Sequence, residues 1–544
     1  MTGVPDSDYA RLALSVLESA DKLRPLWAWL ARRIMPRTED ALHQIEASPA
    51  AKRDLSAVAS ESMHTLAAAH YSYITPAGMP WFKFKSRDRE DDRIYTRWYE
   101  HASERTLQEL SKSNFYAEVQ ESYLCRVLYG TALLLCEAKR GGGLLFRNVP
   151  VGTFGIAENA EGEIDTVCRR FSYTANQAVQ RFGEKNLPEL VRRSYARPEA
   201  RFRDTFEFLH LVTPRKVYTP GNGDALVPAK KRAFASIYFY DGADYPVIEE
   251  GGYEEFPFLA TRFLRWPGTV WGYAPGFKCM SALNTLMKLE NNMDILSDLA
   301  AFPRVLKLAE QVGEVDFRAG GQTVVSVEAA QLGFPKEWGT AGRYDVGKDR
   351  IQAKEEQIRS AFYVPFLQVI SSVDRTMTAT EVQARQEEQA LSFSPTFTQF
   401  TSEMNVMLYR IFACLYRQGA LNTASAIQPK KLRVPANDGT ENFSVAVPQV
   451  HYLGKISQAI EKSQKSGLES FLQILQGFVQ ATGDSSALDY VDTGRAIKVL
   501  YSGTGAPADV LRSDEDVQRI REQREAMQQQ QAEAQAAMQQ ASAV

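Results

Sequence analysis

The stretch 302–348 restricts the fold of this chain more than any other, because it interrupts two helical segments with text that cannot continue them. Residues 276–301 place Met280, Leu283, Met287, Leu296 and Leu299 along one stripe, which predicts a helix stopped by Pro303. Its roughly 26 residues would span about 39 Å at 1.5 Å per residue. Residues 302–348 then turn glycine-rich and strand-like, as in Gln322-Thr323-Val324-Val325-Ser326-Val327. Helix returns at 349–362 and ends before Val364-Pro365. An irregular module between an outgoing and a returning helix is expected to project from the body that carries it.

That body reads as two kinds of text. Residues 8–35 are helical in pattern, through Leu12, Val16, Leu17, Leu23, Leu26, Trp27 and Leu30, with Pro25 marking a break or a new start. A second helix is expected over about 52–73, ending before the turn Thr75-Pro76-Ala77-Gly78. Trp81-Phe82-Lys83-Phe84 reads as a short strand, 91–129 as one long helix and Thr131–Cys136 as a strand. From 144 to 275, β-rich runs (Thr166–Tyr173, Thr205–Thr213, Ala233–Tyr240, Phe256–Phe263) alternate with turns, interrupted by a short helix near 174–182. The expected class is α+β, not a regular βαβ array. Downstream, 380–420 reads as helix in two pieces around Pro395, 430–453 as β, and 454–481 as an amphipathic helix carrying Ile456, Ile460, Leu468, Phe471, Leu472 and Leu475. The end, 513–541, contains Gln528–Gln531 and many alanines with almost no apolar stripe. It is either a helix that stacks with copies of itself or a frayed tail.

The chemistry-bearing motifs are missing. GxxxxGK[ST] fails at Gly454-Lys455-Ile456, where Gln449 and Ile456 occupy the glycine and hydroxyl positions. Gly221-Asn222-Gly223 sits in a polar turn that does not open a helix, and no GxSxG is present. His64 and His70 are six apart, on different helical faces, and there is no HExxH. Cys125, Cys136, Cys168, Cys279 and Cys414 form no CxxC and read as reduced core thiols. The acid clusters Glu90-Asp91-Asp92 and Asp514-Glu515-Asp516 read as solvated faces. With 63 basic and 66 acidic residues the net charge is −3, which disfavours a nucleic-acid clamp that works by bulk charge. No apolar run approaches the length of a membrane span, and Asp6, Asp8, Arg11 and Glu18 break up any signal-peptide core. No catalysis, no metal and no cofactor is expected.

Six strings in order resemble one family, the head-to-tail connecting (portal) proteins of short-tailed phages. The first runs from Ala57-Val58-Ala59-Ser60 through Leu66-Ala67-Ala68 to Thr75-Pro76 and Pro80-Trp81-Phe82. Gly130-Thr131-Ala132-Leu133-Leu134-Leu135 follows, then Asp165-Thr166-Val167 with Tyr173-Thr174-Ala175 and Arg181-Phe182-Gly183. The fourth is Phe256-Pro257-Phe258, Arg265-Trp266, Tyr273, Pro275-Gly276 and Leu283-Asn284. The fifth is Met377-Thr378-Ala379-Thr380-Glu381-Val382, and the last links Gly505-Ala506-Pro507 to Leu511-Arg512-Ser513. The chain departs from many relatives at Gly272-Tyr273-Ala274-Pro275, where they read Tyr-Gly plus a small polar residue before the proline.

The resemblance implies a portal fold and a ring of identical subunits, a dodecamer, at one vertex of an icosahedral capsid. Double-stranded DNA would be packaged and ejected through its channel. It maps residues 1–275 to an α+β wing, 276–301 to a first stem helix, 302–348 to a clip and 349–367 to a second stem helix. The stretch 368–379 maps to a tunnel loop, 380–453 to a wing helix and β return, 454–512 to a helical crown, and 513–544 to a barrel helix or tail. Implied partners are further copies of the chain, the DNA, the large terminase subunit, major capsid and scaffolding proteins, and tail adaptor or tail tube proteins, with no membrane. The implied location is the virion, after assembly in the host cytoplasm. Ser371, Ser372, Arg375, Thr376, Met377 and Thr378 are the expected DNA-facing loop residues, with Arg375 either touching phosphates or paired to Asp374. Thr378 or Thr380 would cap the next helix and Glu381 would sit at its positive end. Arg318, Gln322, Lys336, Trp338 and Arg343 are the candidate clip contacts. Trp27, Trp29, Trp81, Trp98, Trp266, Trp271 and Trp338 are either interface anchors or domain core. The alternatives are a tail adaptor or minor capsid protein, usually much shorter, and a packaging ATPase or nuclease, which would need the missing phosphate loop.

Overall fold

The computed structural model describes residues 8–35, 56–85, 93–139, 141–216, 227–242, 244–301, 305–306, 327, 331, 336–337, 344–371, 379–421, 432–435, 441–444, 448–453, 471–477, 479–480, 491, 517–520, 522–524 and 526–527. The amino-terminal pattern divides into α1 (Asp8–Glu18) and α2 (Arg24–Ile34), with Pro25 in the first turn of α2, the new start that the sequence allowed and where its missing N–H costs nothing. Ser56 caps α3 (Ala57–Ile74) by accepting a hydrogen bond from the Ala59 N–H. Strand β1 (Phe82–Lys85) follows. The long helix expected over 91–129 is two helices, α4 (Arg93–Lys112) and α5 (Phe115–Tyr129). Asn114 makes the break: its side-chain amide donates to the Phe146 carbonyl at 2.7 Å and its oxygen accepts from the Phe146 N–H at 2.9 Å. The side chain thus satisfies a strand backbone in place of continuing a helix.

Two sheets follow. Strands β2 (Thr131–Ala138) and β3 (Leu144–Val149) are joined by β9 (Phe258–Arg262) in the antiparallel order β3-β2-β9. The larger sheet is the antiparallel meander β4 (Phe154–Glu158), β5 (Ile164–Thr174), β6 (Thr205–Pro214), β7 (Phe234–Tyr240) and β8 (Val247–Tyr253). Between β5 and β6 lie α6 (Ala175–Phe182), opened by a reciprocal Thr174–Gln177 capping box, and α7 (Glu189–Ala196). Both faces of the five-stranded sheet are covered. On one, Cys168, Leu209, Leu211, Ile237 and Phe239 pack against Ala10, Ala13, Val16 and Leu17 of α1. On the other, Phe208, Tyr238 and Ile248 pack against Ala178, Phe182 and Val191 of α6 and α7. The period-2 alternation of a strand is what lets one sheet serve two cores.

The rest of the chain builds on this body. The pair β10 (Leu264–Arg265) and β11 (Gly272–Tyr273) leads into α8 (Pro275–Lys278) and α9 (Met280–Ala301). Gly130 caps α5 at φ +84° against Gly272, so close that a Cβ at either glycine would overlap the other's carbonyl. Strands β12 (Val305–Leu306) and β13 (Lys336–Glu337) pair antiparallel, and α10 (Tyr344–Ala361), α11 (Val364–Ser371) and α12 (Ala379–Arg417) follow. Helix α12 runs through Pro395 without interruption, where the sequence pattern predicts two pieces. Strands β14 (Leu432–Pro435) and β15 (Glu441–Ser444) pair with each other, and β16 (Gln449–Tyr452) returns to pair with β1.

The main core joins α2, α3, α5, the three-stranded sheet and the second half of α12. Within it lies a buried polar network. Arg126, wholly buried, donates Nε and Nη2 to the Arg262 carbonyl at 3.3 and 3.1 Å, and Nη2 to the Thr396 carbonyl at 3.1 Å. Its guanidinium lies between the rings of Phe263 and Phe400, at 5.3 and 5.0 Å. Glu403 accepts from the Arg262 N–H at 2.9 Å and Nε at 3.3 Å and from the Gln399 amide at 2.6 Å, while Arg262 also pairs with Glu158. Four segments distant in sequence are tied at one point.

Two outcomes follow from this interior. His70 is wholly buried, and burial, aided by the Arg126 charge, lowers its pKa to about 3; burial and Arg169 also hold His210 well below the usual value. Both rings are protonated in the unfolded chain below about pH 6.5, while the folded chain keeps them neutral. Their contribution to stability is therefore complete above pH 6.5 and is lost from there downward, by up to about 1.4 kcal/mol per histidine per pH unit. Thermal melts from pH 7.5 to 5.5 should show a falling midpoint, and His70→Leu should flatten the slope; equal slopes would contradict it. Separately, Arg126→Ala should cost about 3 kcal/mol in urea unfolding, because two buried carbonyls lose a shared donor and a cavity opens between two rings. Arg126→Lys should restore only part of this, since a compact ammonium lacks the planar guanidinium that sets Nε and Nη2 together on the Arg262 carbonyl and lies against the rings of Phe263 and Phe400. A loss below about 0.5 kcal/mol would remove Arg126 from the anchoring role.

Candidate functional site

The helix–insert–helix expected from the sequence is built from α9 and α10, which pack on each other. The outgoing helix starts later than the pattern suggested, at Met280, after the four-residue α8 and a break at Cys279. The returning helix starts earlier, at Tyr344, and ends at Ala361. Leu283 and Leu286 near the base of α9 are wholly buried, and so is Ile358 near the base of α10. Further out, Met293 remains buried because Gly347 lets it lie directly on the α10 backbone, where a Cβ would collide with its sulfur. Beyond these contacts the hairpin is largely exposed and charged. Glu290 sits where partial burial raises its pKa, and the neighbouring carboxylates of Glu355 and Asp294 raise it further. Arg359 answers Glu355 at 3.1 Å one turn away.

Tyr363 joins α10 to α11 with a positive φ of 59°, an uncommon conformation for an aromatic residue, and the chain turns there onto the body. Helix α11 packs on α3. Ser371 is its last residue; Ser372, Arg375, Thr376, Met377 and Thr378 lie outside the described residues. Thr380 and Glu381 are the second and third residues of α12. Of the expected clip contacts, Lys336 lies in β13, paired with Leu306, while Arg318, Gln322, Trp338 and Arg343 lie outside the described residues. The strand pair β12–β13 brings the two ends of the insert together next to the hairpin.

The far end of α12 is held as firmly as its middle. Arg410 donates to Glu255 at 2.7 Å, and Arg417 to Glu254 at 3.0 Å and to Glu255 at 2.5 and 2.7 Å. These arginines hold the Glu255 carboxyl below its usual range against the opposing effect of burial. Tyr452 of β16 donates its hydroxyl to the Thr401 carbonyl at 2.9 Å. Among the tryptophans, Trp27, Trp81, Trp98 and Trp271 are buried in the core, so they build the body; Trp29 and Trp266 are partly buried against it. Sequence reading missed Arg126, Arg262 and Glu403, because an arginine on an apolar helix gives no sign of which distant carbonyl it will meet.

Among the described residues, no group of three or more histidine, cysteine or carboxylate side chains is arranged to hold a metal ion. All five cysteines are buried and unbridged, and burial pushes the thiols of Cys136, Cys168 and Cys279 up. No described helix is long and apolar enough to cross a membrane.

Comparison with known proteins adds the family. The chain is 27% identical over 477 residues to the portal protein of Salmonella phage epsilon15, an alignment covering 86% of this chain and 81% of that protein. It is 23% identical over 352 residues to the probable portal protein of Bordetella phage BPP-1, covering 63% of this chain and 62% of that protein. A solved structure described as the neck of an empty GTA particle computed with C6 symmetry superposes with a TM-score of 0.35 at 11% identity, over 78% of this chain and 88% of that one. The family model for bacteriophage head to tail connecting proteins matches residues 10–511, nearly the whole length, and the chain belongs to that family.

Proposed function

We propose that this chain is the subunit of a portal: a ring at one capsid vertex through which double-stranded DNA enters and leaves, and on which packaging motor and tail dock in turn. The observation that carries the reading is the family match across residues 10–511, joined by a portal relative aligned over 86% of the chain. In this reading α9 and α10 are the stem, and the insert closed by β12–β13 is the clip facing motor and tail. The segment between α11 and α12 is the tunnel loop, and the body of two sheets with α12 is the wing. The residues after 454 form the crown and barrel. Copies of the chain, DNA, the large terminase subunit, capsid and scaffolding proteins, and tail proteins are the partners. The location is the virion vertex, reached after assembly in the host cytoplasm.

A conduit has to let DNA slide, and affinity for DNA rises steeply with each neutralised phosphate. The near-balanced charge of the chain supports a channel with few contacts over a clamp. Arg375, in the short polar run Ser371-Ser372-Val373-Asp374-Arg375-Thr376-Met377, is the residue assigned to touch phosphates.

Native mass spectrometry of the purified chain should give one discrete closed assembly, a dodecamer by family resemblance, and negative-stain top views should show a ring with a central hole. Monomers alone at high concentration, with and without scaffolding protein, would defeat the reading, and sustained ATP hydrolysis would favour the motor instead. In assembled particles, Arg375→Ala should lower the number of packaged or retained genomes while leaving ring yield unchanged. The contact should weaken as salt shortens the screening distance below the roughly 8–10 Å of physiological ionic strength. Loss of rings without a packaging defect would move Arg375 to a subunit interface.

A further inference from the structure

The α9–α10 hairpin has two chemically different flanks, and their positions follow from one contact. Met293 lies on Gly347, which sets both the facing direction and the relative height of the two helices. Each residue of an α-helix advances about 100° and 1.5 Å. In an outgoing and a returning helix, residues one step after the shared contact project to the same flank. Asp294 and Lys348 therefore share a flank. Glu290 and Asp298, each four residues from Asp294, extend one acidic ridge along it. Glu355 joins that flank eight residues after Gly347, paired to Arg359. Burial raises the Glu290 pKa, and the charges of Glu355 and Asp294 raise it further, as this grouping requires.

The opposite flank carries Val346, one step before the contact, and Arg350, four residues further. Val346 is 43% exposed, and Arg350 is exposed with no ion-pair partner among the described residues. Asp294 and Asp298 are likewise exposed and form no ion pair among the described residues. One flank thus carries Glu290, Asp294, Asp298 and Glu355 against Lys348 and Arg359, a net acidic surface, and the other presents a free guanidinium beside an aliphatic side chain.

We propose that Arg350 of one copy docks against Glu290 and Asp294 of the next, making the acidic flank and the Val346–Arg350 flank the two halves of a heterologous contact. This rests on the ring reading above. A head-to-tail ring joins one face of each copy to a different face of its neighbour, which two unlike flanks satisfy and two identical ones do not. Heights agree as well. Glu290 and Arg350 are each three residues inward from the Met293–Gly347 level, so a rotation about an axis along the hairpin brings them level. Asp294 then lies about 6 Å along the axis from Arg350 at 1.5 Å per residue, within the span of an arginine side chain.

The test is a charge exchange in the full-length chain, read by the subunit concentration for half-maximal ring assembly. Arg350→Glu and Glu290→Arg should each raise that concentration about tenfold or more, as expected for a lost interfacial ion pair. The combined variant should return close to wild type, and wild-type assembly should weaken in high salt. Circular dichroism and thermal melts of the monomers verify folding. A second measurement does not depend on charge: the double variant Glu290→Cys with Arg350→Cys should give a ladder of covalent oligomers under mild oxidation, and neither single variant should. If wild-type rings form but both single charge variants assemble like wild type, or no ladder appears, the contact is wrong and the portal reading stands. If the wild-type chain forms no rings at all, the portal reading itself fails.

Discussion

The arrangement depends on one desolvated meeting of charges, where Arg126, Arg262 and Glu403 converge beneath α12. Burying a carboxylate or a guanidinium is tolerable only when its bonding capacity is met, so each fixes the others' positions narrowly. Arg262 belongs to β9, an edge of the three-stranded sheet, and its main chain is bound from both sides, by Glu403 at the N–H and by Arg126 at the carbonyl. Burial raises the Glu403 pKa, against the lowering effect of Arg126 and of the bond from the Arg262 N–H. Sheet, α5 and α12 cannot slide past one another without breaking that exchange. Arg410 and Arg417 secure the other end of α12 on Glu254 and Glu255, so the helix is held along its second half.

With that half immobilised, the remaining elements acquire directions. Helix α10 packs on both α3 and α9, so the hairpin is carried by the helical side of the core. The glycine at position 347 decides how closely the two helices approach, and therefore how their outer side chains divide between flanks. The electrostatic character of the hairpin comes from that division and not from its composition. Four-residue spacing alone puts Glu290, Asp294 and Asp298 on one face of α9, and the packing of the two helices decides that Glu355, Lys348 and Arg359 of α10 lie on the same side.

Much of the secondary structure was legible in the sequence where periodicity and punctuation agreed. Pro25 marked a break or new start that is the first turn of α2, and the β-rich runs at 166–173, 205–213 and 233–240 are β5, β6 and β7, whereas β4, β8 and the Thr174–Gln177 capping box were not read. Two other misses share a cause. The break between α4 and α5 arises because Asn114 bonds a strand backbone that only the fold brings near. The persistence of α12 through Pro395 arises because the core binds the turn that follows, at Thr396 and Phe397. Local propensity is a weak prior, and tertiary contacts outweighed it in both places.

The sequence by itself determined the α+β class, the interruption between two helices, the lack of catalytic motifs and, through six ordered strings, the family. Those properties depend on spacing along the chain, which periodicity and motif order record directly. Only the tertiary structure decided that four of the tryptophans are core, that Arg126 joins segments hundreds of residues apart, and that Glu290 and Arg350 lie at one height on opposite flanks. Each of these depends on the register between elements. Register is set by side-chain packing and buried hydrogen bonds between distant segments, and neither is encoded in any local window of residues.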